Sequence, residues 1–164
     1  MDTNMETKYP SKEEILADLY IPPENEYIAV RKWKRTFYNK QWKSLALEQK
    51  MEALKELIGN ICEARHIPRN QWPVPVVSEH PWGYTHQIRM ITMGLDTPSV
   101  ISTLHELGHY LHFSAYLPGE ESMTEFVACR YAVGIFKTCF PKSYAKLTWS
   151  EHTLVVPNDG SNKQ

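Results

Sequence analysis

The stretch ISTLHELGHYLHFS, residues 101–114, decides how the rest of this sequence is interpreted. His105 and His109 are four residues apart, so on a helix both imidazoles lie on one face and can bind one metal ion. Zinc takes imidazole nitrogens at about 2.0–2.1 Å, and a catalytic zinc site keeps one position open for water. Glu106 cannot reach that ion together with both histidines, but it can take a proton from the metal-activated water. The spacing therefore predicts a zinc site with Glu106 as general base.

The residues around this stretch predict a largely buried helix. Asp96 or Thr97 is expected to cap it, with Pro98 in its first turn. An apolar stripe at helical spacing faces the core and comprises Val100, Leu104, Leu107, Leu111 and Ala115. A single histidine on such a helix is more often a packed core or surface residue, whereas two at this spacing with a glutamate favour metal binding. His112 lies about 10 Å beyond His105 along the axis, too far to share the ion comfortably. It is expected to support the metal ligands, to line the pocket wall or simply to pack.

A third metal ligand is expected from the following segment, SMTEFVACRYAVGIFKTCF, residues 122–140. This segment predicts a helix capped by Ser122, with Glu125 completing a capping box. Glu125 is followed on the same face by small residues, which would let this helix approach the histidine helix closely. Glu125 is therefore the preferred third ligand, with Glu121 and Glu120 as alternatives. If Glu125 binds no metal, its carboxylate is expected to cap the positive N-terminal end of its helix.

These two motifs, HELGHYLH and EFVACRYA, resemble those of the gluzincin group of zinc metallopeptidases. The closest likeness is to the ImmA/IrrE group, with a second motif like that of the HtpX-type peptidases. The matching residues of the second motif are Glu125, Phe126, Ala128, Tyr131 and Ala132. The resemblance covers about residues 84–140. It implies a zincin-like fold, metal binding by His105, His109 and Glu125, and general-base catalysis by Glu106.

One position departs from the family pattern. Cys129 stands where the family has Asp or Asn, a residue that supports a metal-binding histidine through a hydrogen bond. Such supporting partners tune the metal site. A thiol is a weak substitute for a carboxylate, so Cys129 either lowers metal affinity or itself approaches the metal. The first alternative is preferred.

Composition points to a soluble globular protein in the cytoplasm. The chain has 164 residues, enough for one domain, with 42% hydrophobic residues and a net charge of −1. It has no apolar run of the roughly 20 residues that cross a membrane, and no apolar signal core at its start. Three cysteines without framework spacing fit reduced thiols. Residues 1–10 and 158–164 are expected to be flexible.

The remaining segments predict a mixed scaffold. Helices are expected from Ser11 to Leu19 and over residues 40–65, while residues 27–38 fit either a strand or a helix. Residues 72–77 contain two prolines and can only form a loop or an edge strand. Residues 87–93 predict a strand. It is either the sheet edge that pairs with an extended substrate, as in zincin-like folds, or a purely structural strand, and periodicity does not separate the two. Five residues are candidate donors to a developing oxyanion: Tyr84, His86, His112, Tyr116 and Tyr131.

A basic stretch, residues 31–43, interleaves lysines and arginines with aromatic residues. Such a pattern can bind a nucleic-acid backbone and stack on bases, or bind an acidic protein. The preferred interpretation is a solvated basic face whose aromatic residues pack inward, because the chain is nearly neutral. A further pair, Glu151 and His152, is taken as surface.

The sequence thus predicts an α+β, zincin-like domain over residues 1–164, mainly helical with a small twisted sheet beside the two metal-bearing helices. The expected activity is zinc-dependent hydrolysis of a peptide bond in a protein substrate. The alternative is a non-proteolytic zinc-binding interaction or regulatory module that retains the fold. An intact Glu106 favours the enzyme, because a structural zinc site needs no base. The sequence does not determine the oligomeric state.

Overall fold

A computed structural model of the protein describes residues 9–79, 82–95, 98–149 and 155–156. Its helices, in chain order, are α1 Lys12–Leu16, α2 Glu24–Phe37, α3 Leu47–Ala64, α4 Val100–Phe113, α5 Thr124–Cys139 and α6 Pro141–Ala145. Its strands are β1 Val74–Ser78, β2 Gly83–Thr85, β3 Met90–Gly94, β4 Thr148–Trp149 and β5 Val155–Val156. The predicted mixture of helix with a small sheet is confirmed. The pair Glu151 and His152, the capping candidates Asp96 and Thr97, and residues 1–8 and 158–164 lie outside the described residues.

The main sheet has three strands in the order β1-β3-β2, with β1 parallel and β2 antiparallel to β3. The strand predicted within residues 87–93 is confirmed for residues 90–93, but the expectation that it forms the edge of the sheet is wrong. Residues His86–Ile88 form a 3₁₀ turn, and Arg89 follows with a φ of 50°, so the strand begins only at Met90. Because β3 is paired on both sides, β2 and β1 are the sheet's edges. Pro75 lies in β1, as expected for a proline on an edge strand.

The starts of the two site-bearing helices also differ from the prediction. Ser99, in an extended conformation, caps α4 and accepts a hydrogen bond from the backbone N–H of Ser102 at 3.2 Å. A proline disfavours helical geometry in the residue before it, which explains why the helix starts after Pro98. Helix α5 begins at Thr124 with no side-chain cap, because Ser122 is part of a 3₁₀ turn over Glu121–Met123. Glu125 therefore serves no capping box.

The basic stretch is mostly helical, in α2, and its aromatic residues point into the core. Trp33 and Trp42 are buried, and their rings are 5.9 Å apart in a T-shaped contact. The Trp33 indole N–H donates to the carbonyl of Ala53 at 2.7 Å. Neither tryptophan is exposed for base stacking, so this part of the nucleic-acid interpretation is wrong and the inward-packing alternative is confirmed. The predicted helix over 40–65 starts at Leu47, because Trp42–Ser44 form a 3₁₀ turn and Leu45 is extended.

A buried carboxylate joins three of the helices. Glu26 in α2 is fully buried and accepts hydrogen bonds from the Arg65 Nε atom at 3.0 Å and the Tyr131 hydroxyl at 2.8 Å. The Tyr20 hydroxyl also donates to it. A buried charge is tolerated when it is paired and hydrogen-bonded, as here. This network fixes α2 and the end of α3 against α5.

Helices α4 and α5 cross at very short distance. A Cβ atom added at Gly108 would lie 2.9 Å from the Cα atom and 3.2 Å from the carbonyl oxygen of Ala128. Only glycine in α4 facing a small residue in α5 permits this approach. The prediction that small residues bring the two helices together is confirmed. Among the described residues, no helix is long and apolar enough to cross a membrane.

Candidate metal centre

The two histidines of α4 meet the carboxylate of α5. The rings of His105 and His109 are 4.8 Å apart, with an angle of 85° between their planes. The Nε2 atom of His105 lies 3.3 Å from Glu125 Oε1, and the Nε2 atom of His109 lies 3.0 Å from Glu125 Oε2. The structure thus brings together the three predicted ligands. The alternatives Glu120 and Glu121 are exposed, in the loop and 3₁₀ turn before α5.

The opposite nitrogen of each ring has its own partner. His109 Nδ1 lies 2.9 Å from the hydroxyl oxygen of Thr124, and His105 Nδ1 lies 3.8 Å from the Sγ atom of Cys129. When Nε2 binds a metal ion as a neutral base, Nδ1 carries the proton and donates it to such a partner. Thr124 was not predicted from the sequence, where the only indication of its role is its position directly before Glu125.

The charges of this cluster are strongly coupled. Burial alone would raise the pKa of Glu125, but its interactions with both histidines outweigh it and lower that pKa to about 2. Burial alone would lower the pKa of His105, but its interactions with Cys129 and Glu125 prevail, and its pKa is well above the ordinary value. The cluster therefore holds an anionic carboxylate between imidazoles, and these are donors that bind divalent transition metals well.

One atom of the cluster lacks a suitable hydrogen bond. Glu125 Oε1 is buried and accepts none, although His105 Nε2 is within ion-pair distance. A buried carboxylate oxygen without a hydrogen bond is costly. A cation bound between the two Nε2 atoms and this carboxylate would satisfy it, so the residues present fit a metal ion.

A second donor set overlaps the first. Ligand atoms of His105, Glu125 and Cys129 all lie within 4.8 Å of one another, so this group could also hold a metal ion. Its thiol lies on the Nδ1 side of His105, whereas Glu125 and His109 lie on the Nε2 side. The two nitrogens of an imidazole point in different directions, so one ion binds one nitrogen of a ring and not both. The thiol therefore acts either as a ligand or as the partner of the Nδ1 proton.

Glu106 is buried beside the two histidines, with 9% of its surface exposed. Burial raises its pKa, and the nearby charge of Glu125 adds to the rise, while His105 and His109 act in the opposite direction. A carboxyl group with increased proton affinity is suited to accept and return a proton near neutral pH. Glu106 is thus a buried carboxyl group with a raised pKa, directly beside the two histidines.

A cavity of about 530 Å³ opens next to these residues. His105, Glu106, His109 and Glu125 line one end of it. The remaining lining includes the aromatic residues Tyr9, Trp82, Tyr84 and Phe113. Ligand sites in proteins typically have volumes of about 300–1,000 Å³, so this cavity is large enough for a ligand.

Of the five candidate oxyanion donors, Tyr84 is the one among the cavity-lining residues. All five, Tyr84 included, have partners within the protein. The Nε2 atom of His112 lies 2.9 Å from the carbonyl oxygen of Gly119, and the Tyr116 hydroxyl donates to Gln71. Tyr131 donates to buried Glu26, and His86 lies 3.0 Å from the Tyr84 hydroxyl through its Nδ1 atom. The packing role expected for His112 agrees with its burial.

No protein-family model, curated protein or solved structure matches this chain. The resemblance to gluzincins therefore depends on the two motifs alone. A proposal about function can be based only on these motifs and on the geometry of the cluster.

Proposed function

We propose that this protein is a zinc-dependent peptidase that hydrolyses a peptide bond in a protein substrate. The observation that carries this proposal is the convergence of His105 Nε2 and His109 Nε2 on the Glu125 carboxylate, at 3.3 and 3.0 Å. Glu106 lines the same cavity beside them. A base next to an open metal site is what metal-assisted hydrolysis requires.

Zinc is the proposed cofactor because two imidazole nitrogens and one carboxylate oxygen form a typical catalytic zinc set. When bound, zinc would polarise the scissile carbonyl and lower the pKa of water. The cavity on the exposed side of the cluster supports a catalytic site, since structural zinc sites are closed by four protein ligands.

The chain's own residues supply the proton transfers. Glu106 accepts a proton from the attacking water on its carboxylate and returns it to the nitrogen of the leaving amine. The raised pKa of Glu106 supports the first step, because it makes the carboxylate a stronger base toward the water proton. The Tyr84 hydroxyl is the proposed donor to the developing oxyanion, since it belongs to the cavity lining.

The edge strand β2 is the proposed binding site for the substrate backbone. It pairs with β3 on one side only, and it lies in the cavity lining through Gly83 and Tyr84. A Cβ atom added at Gly83 would meet no atom within 4 Å, so there is room for substrate side chains on this face of the strand. An extended peptide can add to such an edge by main-chain hydrogen bonds.

A non-proteolytic zinc-binding module is the second candidate. It is favoured by the His105, Glu125 and Cys129 group, because thiolate ligands are common in structural zinc sites. The unblocked cavity and the buried Glu106 beside it favour the peptidase. Cobalt-substituted protein distinguishes the donor sets, since a ligating Cys129 would give a thiolate-to-cobalt charge-transfer band.

The test combines metal analysis with a cleavage assay on a diverse peptide library read by mass spectrometry. The wild type is expected to bind about one zinc per chain and to cleave, and His109→Ala to lose the metal. Glu106→Gln should keep the metal and lose cleavage, because an amide cannot accept the proton. Glu121→Gln, a change at an exposed glutamate outside the site, is the matched control and should keep both. Equal cleavage by the Glu106→Gln protein, or zinc-loaded wild type that cleaves nothing, would contradict the proposal.

A further inference from the structure

We infer that the aromatic wall of the cavity, formed by Phe113, Tyr84 and Trp82, binds an aromatic side chain of the substrate next to the scissile bond. This inference rests on the proposed peptidase function and adds the substrate class to it. The wall begins at the metal-binding residues and ends at the edge strand β2. A side chain flanking the bond to be cleaved would lie against it.

The wall is a continuous series of rings. Phe113 follows His109 by one helical turn, and the two rings are 6.4 Å apart at an angle of 23°. On its other side Phe113 stacks with Tyr84, at 6.3 Å and 21°. The Tyr84 ring is supported by a T-shaped contact with buried Tyr110, at 6.1 Å and 76°. The rings are therefore held in place before any ligand binds.

Hydrogen bonding holds the wall's polar edge. The Tyr84 hydroxyl lies 3.0 Å from His86 Nδ1, and the ring of His86 lies 5.3 Å from that of Phe113. Beyond the wall, Ile101 and Ala132 add apolar surface to the cavity lining. Aromatic rings prefer offset-stacked or edge-to-face neighbours, and such pairs are more favourable than burial alone.

The charges favour a neutral aromatic side chain over a cationic one. An aromatic surface can also attract lysine or arginine, with further gain when a carboxylate is near. The polar groups of this wall are a phenol and imidazoles. The carboxylates of the cavity lining, Glu106 and Glu125, belong to the metal cluster, where Glu125 is paired with both histidines. Among the described residues that line the cavity, these two are the only carboxylates, so none is left to pair with a cation at the wall.

Direct binding to the zinc-supplied Glu106→Gln protein tests this inference without requiring turnover. The probes are fluorescein-labelled peptides that differ at one central position, which is Phe, Leu, Ala, Lys or Asp, and binding is followed by anisotropy. Burying an aromatic ring should tighten binding of the Phe peptide about tenfold or more over the Ala peptide. The Lys and Asp peptides should bind no more tightly than the Ala peptide.

Two added substitutions locate the preference. In the same protein, Phe113→Ala should reduce the Phe-over-Ala ratio to less than about threefold. Phe37→Ala is the matched control, since Phe37 lines a different cavity with Leu45 and should leave the ratio unchanged. Zinc content is measured in both, and if Phe113→Ala loses zinc, Trp82→Ala replaces it as the variant of the wall.

The outcomes separate this inference from the peptidase proposal. A Phe preference that depends on the wall supports the inference even if wild type hydrolyses no peptide, a result that would overturn only the peptidase. Equal binding of all five peptides, a preference for Lys, or a Phe preference unchanged by the wall variants would overturn the inference. If wild type cleaves peptides while any of these results is found, only the inference about the wall fails and the peptidase proposal remains.

Discussion

The substitution Gly108→Ala should disrupt the metal centre without touching a metal ligand. The new Cβ atom would lie 2.9 Å from Ala128 Cα, 3.2 Å from its carbonyl oxygen and 3.3 Å from its Cβ. Ordinary carbon–carbon contacts are about 3.5–4.0 Å, so α4 and α5 would have to separate by roughly 0.6 Å or more. Two of these contacts are to backbone, which cannot rotate away as a flexible side chain can.

This separation is large on the scale of metal coordination. Ligand distances in a metal site are held within about ±0.2 Å, whereas α4 carries two of the proposed ligands and α5 the third. Zinc affinity is expected to fall at least about tenfold. Overpacking typically costs about 1–3 kcal/mol, and replacing a helical glycine with alanine returns about 0.5–1 kcal/mol. The free energy of unfolding should therefore fall by about 1 kcal/mol, within a range of about 0–2.5 kcal/mol.

Competition titration with a zinc chelator measures the affinity, and urea denaturation of metal-free protein measures the stability. Gly59→Ala is the matched control because Gly59 is also inside a helix, where a Cβ would meet only the Trp72 side chain at 3.2 Å. That variant should keep its zinc affinity. If Gly108→Ala binds zinc as tightly as wild type and is equally stable, the close crossing does not set the geometry of the site.

Three further predictions concern the atoms around the ligands. Thr124→Val removes the partner of His109 Nδ1 and should weaken zinc binding about ten- to a hundredfold, while Thr138→Val in the exposed last turn of the same helix should not. Cys129→Asp should tighten zinc binding by a similar factor, and weaker binding would instead identify the thiol as a ligand. Because the pKa of His105 is raised in the metal-free protein, zinc must displace its proton, so affinity should fall as pH decreases. Calorimetry in buffers of different ionisation enthalpy should then detect about one proton released per zinc at pH 7, and heats independent of the buffer would refute this.

The residues of the candidate site could be predicted from sequence because their geometry is local. His105, Glu106 and His109 lie within two helical turns, and helical periodicity alone places them together. Glu125 required a tertiary assumption, namely that a helix with small residues on one face packs against the histidine helix. That assumption succeeded because Gly108 and Ala128 leave room for such packing.

Other features could not be predicted because distant residues determine them. The period-two pattern of residues 87–93 indicates a strand, but it does not indicate how many strands pair with it. In the structure β1 and β2 pair with it on either side, so it is the central strand. The 3₁₀ turn before β3 depends on the positive φ of Arg89, a conformation that arginine seldom adopts and that its sequence neighbours do not indicate. Thr124 pairs with His109 across two helices, a contact with no periodic signal.

The proposed metal site lies where the backbones of α4 and α5 come close together. Gly108 is directly before His109, while Ala128 is three residues after Glu125 and directly before Cys129. Each of these side chains is thus attached within one turn of the point where the two backbones touch. Histidine and glutamate are short enough to meet between two helices only when the backbones are this close, so the contact prearranges the ligands. By the same reasoning a bound ion would hold the helices together, and saturating zinc at a hundred times its Kd should add about 2.7 kcal/mol to the free energy of unfolding.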